Sequence, residues 1–111
     1  MPYYVYVIEL EKAFSETSRA KQANPNARND KPCIYVGSSS RTPEERFNQH
    51  INGIRNPKGP LYSRIVRRYG IRLRPRLYVK HNPISTREEA EAKEKELTER
   101  YRRRGYTVWS N

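Results

Sequence analysis

The chain has little cysteine, little histidine, few acids and no long apolar run, and each shortage closes off a class of protein. Cys33 is the single cysteine among 111 residues, so no intrachain disulfide forms, which fits a reducing cytosol. It reads as a packed strand residue rather than a nucleophile. One cysteine and two histidines do not make a structural zinc site. No segment is apolar enough to span or insert into a membrane. The N-terminus runs straight into a strand pattern, with no signal peptide, and no internal repeat is visible. The expected location is cytoplasmic. Acids number 12 against 23 lysines and arginines, for a formal charge of +11 and a pI of about 10.1. A charge of one sign at that density costs self-repulsion and usually serves a polyanion, with nucleic acid the first candidate; the alternative is a solubilising surface. The length sets one domain, residues 1–111, with a modest core.

What is there centres on Lys31 to His50, KPCIYVGSSSRTPEERFNQH. Ile34-Tyr35-Val36 is β-branched and aromatic, as strands prefer. Gly37 and three serines then break the strand. Thr42 suits an N-cap, Pro43 the first helical position, and Glu45 completes a capping box. Arg46 and His50 lie one turn apart and project from one face of the helix. A tyrosine at a strand end is thus set near an arginine and a histidine. A fixed fork of donors, an imidazole and a phenol suit work on a phosphate.

Taken in order, Pro2 to Leu10 is a strand. Val5 and Val7 are expected to pair with Ile34 and Val36 of the strand Cys33 to Val36, leaving Tyr6 and Tyr35 on the opposite face. Glu11 to Pro32 is a polar insertion with a short helix around Glu16 to Ala23. It is long for a hairpin connection, so it is either functional or disordered; its basic residues, Arg19 among them, suit a nucleic-acid contact or a solvated loop. The first helix runs from Thr42 to about Ile54, burying Phe47, Ile51 and Ile54. A second, Leu61 to Tyr69, closes on Gly70 as a left-handed cap and turns Arg64, Arg67 and Arg68 outward. Ile71 to Lys80 alternates, with Arg72, Arg74 and Arg76 on its basic side, and Pro75 makes it an edge strand. Those arginines either discourage edge pairing or bind phosphate. The last helix starts at Ser85 or Thr86 and runs to about Arg104, with Ala90, Leu97 and Tyr101 inward. Glu94 shares that inward stripe, where a carboxylate needs an arginine partner or a metal. Tyr106 to Asn111 is a short tail. The fold class is α/β of the α+β type: a small, mainly antiparallel three-stranded sheet flanked by helices.

Tyr4-Val5-Tyr6, Tyr35-Val36-Gly37, Arg46, His50 and Glu94, in that order on strand, strand, helix and late helix, resemble the GIY-YIG nuclease superfamily over nearly the whole chain. Tyr4 stands at the position named for glycine, Val5 and Val36 replace isoleucine, and the insertion enlarges a connection that is usually short. The family's late asparagine finds a match only in terminal Asn111 and is not carried over. The resemblance implies phosphodiester hydrolysis with one divalent cation, Mg²⁺ or Mn²⁺, ligated by Glu94. It implies Tyr6 as the base, as a phenolate favoured by nearby positive charge, and Tyr35 as a group positioning phosphate or water. Arg46 would hold phosphate oxygens, and His50 would share proton transfer or hold Tyr6. Arg64, Arg67, Arg68, Arg72, Arg74 and Arg76 are the expected nucleic-acid contacts, DNA before RNA, with nucleoid association if DNA is the substrate.

Each site residue also has an ordinary role: a cross-strand tyrosine pair, a surface arginine, a capping histidine, a salt-bridged glutamate. The second function class is a non-catalytic nucleic-acid-binding module on the same scaffold, which predicts salt-sensitive binding without cleavage. The third is a protein-interaction domain using the insertion and the tail. With no room for a specificity domain, recognition of nucleic-acid structure, weak selectivity, a homodimer or a protein partner is expected.

Overall fold

Alternating β-branched and aromatic residues make Tyr4–Leu10 the strand β1, and it is apolar on both faces. Val5 and Val7 on one side and Ile8 on the other are fully buried, and Tyr6 is 2% exposed. A strand apolar on both faces needs cover on each side, and the chain supplies it. In the computed structural model, which describes residues 1–111, β1 is followed by α1 (Ser18–Ala23), β2 (Cys33–Ser39), α2 (Pro43–Ile51), α3 (Arg64–Tyr69), β3 (Gly70–Leu73), α4 (Arg87–Arg103) and β4 (Thr107–Trp109). The sheet order is β3-β1-β2-β4. β1 pairs antiparallel with β2 in a register that sets Tyr6 opposite Gly37, Val7 opposite Val36 and Ile8 opposite Tyr35. Helix α4 covers the Val5 face, where Ser38 bonds Glu94, and α2 covers the Tyr6 face, where Tyr6 meets His50.

The sheet has four strands rather than the three expected. β4 pairs parallel with β2, Tyr35 opposite Trp109. A three-residue strand shows no periodicity of its own, and its parallel partner lies far away in sequence, so its β-branched and aromatic composition is its only local mark. The expected strand Ile71 to Lys80 is also shorter. It stops at Leu73 because Pro75 opens a 3₁₀ turn (Pro75–Leu77), followed by another (Val79–His81). Arg74 and Arg76 therefore lie beyond the strand. The edge of β1 left open there is closed by the side chain of Asn82, whose Oδ1 accepts from the Val5 amide (2.9 Å) and whose Nδ2 donates to the Val5 carbonyl (2.8 Å).

The insertion is ordered and buries more than its composition promises. Thr17 caps α1 by accepting from the Ala20 amide. Phe14 is fully buried, its ring 5.5 Å from that of Tyr69 and 6.0 Å from that of Trp109. Asn24, 6% exposed, donates to the carbonyls of Ala20 (2.8 Å) and Val108 (3.0 Å) and accepts from the Val108 amide (2.9 Å) and Arg102 Nε (3.1 Å). Three of the four hydrogen-bonding positions of one amide tie the insertion to β4 and α4, and the fourth holds the end of α1.

The remaining helices start where their caps place them. Thr42 and Glu45 form the capping box of α2 with Pro43 in the first turn, as expected, but the helix ends at Ile51 and leaves Ile54 50% exposed. Helix α3 begins at Arg64 rather than Leu61, because Ser63 accepts from the Val66 amide. Gly70 has a φ of −66° and opens β3; it is not a left-handed cap. Thr86 caps α4 through the Glu89 amide, and Ala90, Leu97 and Tyr101 are buried along it.

Candidate active site

The site forms at the end of β2, where side chains from both faces of the sheet come round its edge. Gly37 makes this possible by having no side chain. A Cβ there would lie 2.6 Å from both Cζ and Oη of Tyr6, so the glycine is the space that the phenol occupies. Strand β2 runs straight through it to Ser39, which corrects the expectation that Gly37 ends the strand. Tyr6 Oη lies 3.1 Å from His50 Nε2. The Tyr35 ring stands edge-on to His50 with centroids 5.6 Å apart, and the Tyr6 and Tyr35 rings are 6.2 Å apart.

Arg46, one helical turn before His50, lays its guanidinium 4.0 Å from the centroid of the Tyr62 ring. Its Nε is buried with no hydrogen-bond partner, as is His50 Nδ1. From the other face, Glu94 is held by two hydroxyls: Ser38 Oγ donates to Oε1 (2.7 Å) and Ser110 Oγ to Oε2 (2.8 Å). Asn111 Nδ2 donates to the Tyr62 carbonyl (2.8 Å). Tyr6, Tyr35, Gly37, Ser38, Arg46, His50, Tyr62, Glu91, Glu94 and Asn111 line one cleft of about 410 Å³. All five residues singled out in the sequence meet here.

Burial governs the titration of the cleft. It pushes the Tyr6 phenol well above its ordinary value, and the neighbouring Tyr35 and Glu94 add to this against the opposing pull of Arg46. Tyr35 is raised by burial and then by Glu94. His50 is pushed down to about 4 by burial and then by Arg46. The pair between α2 and β1 is therefore a neutral phenol against a neutral imidazole. Burial, Tyr35 and Glu94 thus work against the phenolate expected at Tyr6, and Arg46 works for it.

A family model described as the GIY-YIG catalytic domain matches residues 2–107. The chain belongs to the GIY-YIG family. No curated protein and no solved structure matches it. The GIY-YIG fold is a nuclease-type fold, and the strand, strand, helix, helix order of the expected site residues is the order in which this chain brings them into the cleft. Ser38, Tyr62 and Ser110 are parts of the site that the sequence pattern does not announce; Asn111, the match for the family's late asparagine that was not carried over, lines the cleft as well, and it and Ser110 lie beyond the GIY-YIG match. The β-branched and aromatic run Thr107-Val108-Trp109 is the one signal that the tail could join the sheet and carry them in.

The residues present fit the divalent cation associated with GIY-YIG nucleases. Glu94 has no lysine, arginine or histidine within ion-pair distance, although lysines and arginines number 23. An uncompensated carboxylate beside two hydroxyls in an open cleft is a hard-oxygen donor set, which suits a cation that keeps most of its shell for water and phosphate. The six outlying arginines differ in circumstance. Arg72 Nε and Arg74 Nη1 lie 2.8 and 3.4 Å from the Glu9 carboxylate, and Arg67 Nη1 donates to the Ile51 carbonyl (2.8 Å). Arg64, Arg68 and Arg76 are exposed and in no ion pair. No helix is long and apolar enough to cross a membrane.

Proposed function

We propose that this protein is a metal-dependent endonuclease that hydrolyses phosphodiester bonds in nucleic acid, with DNA the first substrate to test. Its site is the cleft of Tyr6, Tyr35, Arg46, His50 and Glu94. The observation that carries the reading is Glu94, a carboxylate without a cationic partner, oriented by Ser38 and Ser110 in the same cleft as Arg46 and the Tyr6–His50 pair. A divalent cation at Glu94, Mg²⁺ or Mn²⁺, would stabilise charge on the phosphate and the leaving oxygen.

The side chains supply the rest. Arg46 keeps an unpartnered buried Nε and a plane fixed against Tyr62, so it offers a ready fork to the non-bridging oxygens as charge grows on them. Tyr35 positions the phosphate or the attacking water. Tyr6 is protonated at rest. It takes a proton from the attacking water as it passes its own to His50 Nε2, 3.1 Å away. The water oxygen bonds to phosphorus, and the bond from phosphorus to the leaving oxygen breaks.

The test is cleavage of labelled single-stranded, duplex and branched DNA across a Mn²⁺ titration. Wild type cleaves; Arg46→Ala lowers the rate by about 10²–10³-fold, the usual cost of removing one transition-state donor; Glu94→Ala loses both cleavage and its metal dependence. Equal cleavage by all three proteins means that the site lies elsewhere. Binding without cleavage by wild type means a non-catalytic module on the same scaffold.

A further inference from the structure

Beside α3, the insertion builds a groove of about 320 Å³ lined by Thr17, Ser18, Arg19, Arg64, Ile65, Arg68 and Tyr69. Three of those seven residues are arginines and none is acidic. Arg19 comes from α1, Arg64 and Arg68 from α3, and none of the three is in an ion pair, whereas eight ion pairs form elsewhere in the molecule. All three are exposed. Arg68 has its guanidinium 5.3 Å from the centroid of Tyr69, which limits where its fork can go. Three guanidinium groups brought together without a counter-charge repel one another, and an anion in the groove relieves that repulsion.

Two anchors hold the groove in shape. The buried Phe14 ring packs on Tyr69, and the Glu11 amide donates to the Tyr69 carbonyl (2.8 Å). These contacts set the start of α1 against α3. One lining residue of the groove also lies close in sequence to the cleft. Tyr62, which stacks on Arg46 in the cleft, precedes Arg64 by two residues, so the two Cα atoms are at most roughly 7 Å apart. A strand advancing about 3.4 Å per charge covers that distance within about two phosphates.

We infer that Arg19, Arg64 and Arg68 form a second, non-catalytic phosphate-binding track, made by the insertion, which holds the sugar-phosphate backbone of a nucleic-acid strand next to the scissile bond. This rests on the nuclease reading for the strand's destination, and deepens it by assigning the insertion a task. The ligand chemistry is the phosphodiester backbone, which side chains of this kind hold without reading sequence.

The experiment uses the full chain and two exposed substitutions made together, Arg19→Ser and Arg68→Ser. Binding of labelled DNA and RNA oligonucleotides of one sequence is followed by fluorescence anisotropy in EDTA over a range of salt concentrations. The double variant binds about tenfold or more weakly, and the slope of log K against log salt falls by roughly two, one for each phosphate no longer neutralised. The DNA and RNA arms identify which strand the track takes. In Mn²⁺, KM for a long substrate rises while kcat stays within about twofold, as expected when uniform binding is removed. Wild-type affinity and slope in the double variant overturn the track and leave the nuclease reading intact. A reduced slope in a protein that never cleaves overturns the nuclease and keeps the track. A wild type that binds neither nucleic acid overturns both.

Discussion

Arg64, Arg67 and Arg68 on α3, and Arg72, Arg74 and Arg76 on and after β3, are written alike in the sequence: three arginines in five residues, twice, on exposed faces. The fold separates them. β3 is the edge of the sheet, and Glu9 on the neighbouring strand faces it, so Arg72 and Arg74 share one carboxylate. The Arg72 hydrogen bond holds Glu9 below its ordinary value, against the smaller upward pull of burial. On α3 no arginine is in an ion pair. Arg67 turns back to the Ile51 carbonyl, while Arg64 and Arg68 face a groove that Arg19 completes. A guanidinium already paired must give up a carboxylate to bind a phosphate; an unpaired one only sheds water. Net charge therefore says that a protein can attract nucleic acid, and the positions of its few acids say where.

The comparison breaks most sharply under charge reversal. Arg64→Glu with Arg68→Glu is expected to weaken DNA binding by about 10²-fold near physiological salt, since two attractions to phosphate are each replaced by a repulsion; Arg72→Glu with Arg74→Glu, the two that share Glu9, is expected to cost several times less in the same titration. A smaller effect of opposite sign comes from Glu9→Gln. It frees Arg72 and Arg74, so affinity should rise by about threefold and the salt slope should steepen by about one; an unchanged slope would show that the edge arginines do not reach the backbone even when free.

The last expected effect concerns pH, and it distinguishes the arginines from the cleft. Arginines stay charged throughout, so binding by either set should be flat from pH 8 to pH 6.5. His50 behaves differently. In the unfolded chain it takes a proton near its ordinary value of 6.5, and in the fold only at about 4. Acid between those values therefore favours the unfolded chain, and the stability that neutral His50 brings is full above 6.5 and falls towards 4. His81 is lowered too, with burial first among the causes, and acts with the same sign. Urea denaturation at pH 7 and pH 5 should show the loss, and His50→Gln should remove His50's share of it. An identical loss in His50→Gln would place the titrating group elsewhere.

Much of this could be read from the chain. β1, α2 and α4 follow from alternation and from caps whose partners sit within four residues, and the five residues expected to share a site do share a cleft. What stays hidden depends on distant partners. Ser38 and Ser110 reach Glu94 across 56 and 16 residues, and serine carries no periodic signal. The order of the insertion rests on Phe14 and Asn24, one ring and one amide in a polar stretch, whose partners lie on α3, β4 and α4. The charge state of Tyr6 is not legible either, because sequence shows the arginine beside it but not the depth at which both are set.

The parallel pairing of β2 with β4 also has a bearing on synthesis. Tyr6 and Tyr35 can meet early, because β1 and β2 form a hairpin, but Ser110 reaches Glu94 only after Thr107–Trp109 has docked beside Cys33–Tyr35. Closing so long a span is slow compared with local structure. A nascent chain on the ribosome, surrounded by RNA, would thus carry its basic grooves before its carboxylate is fully set. The cleft is completed by β4, so the basic grooves precede it by the time that strand takes to dock.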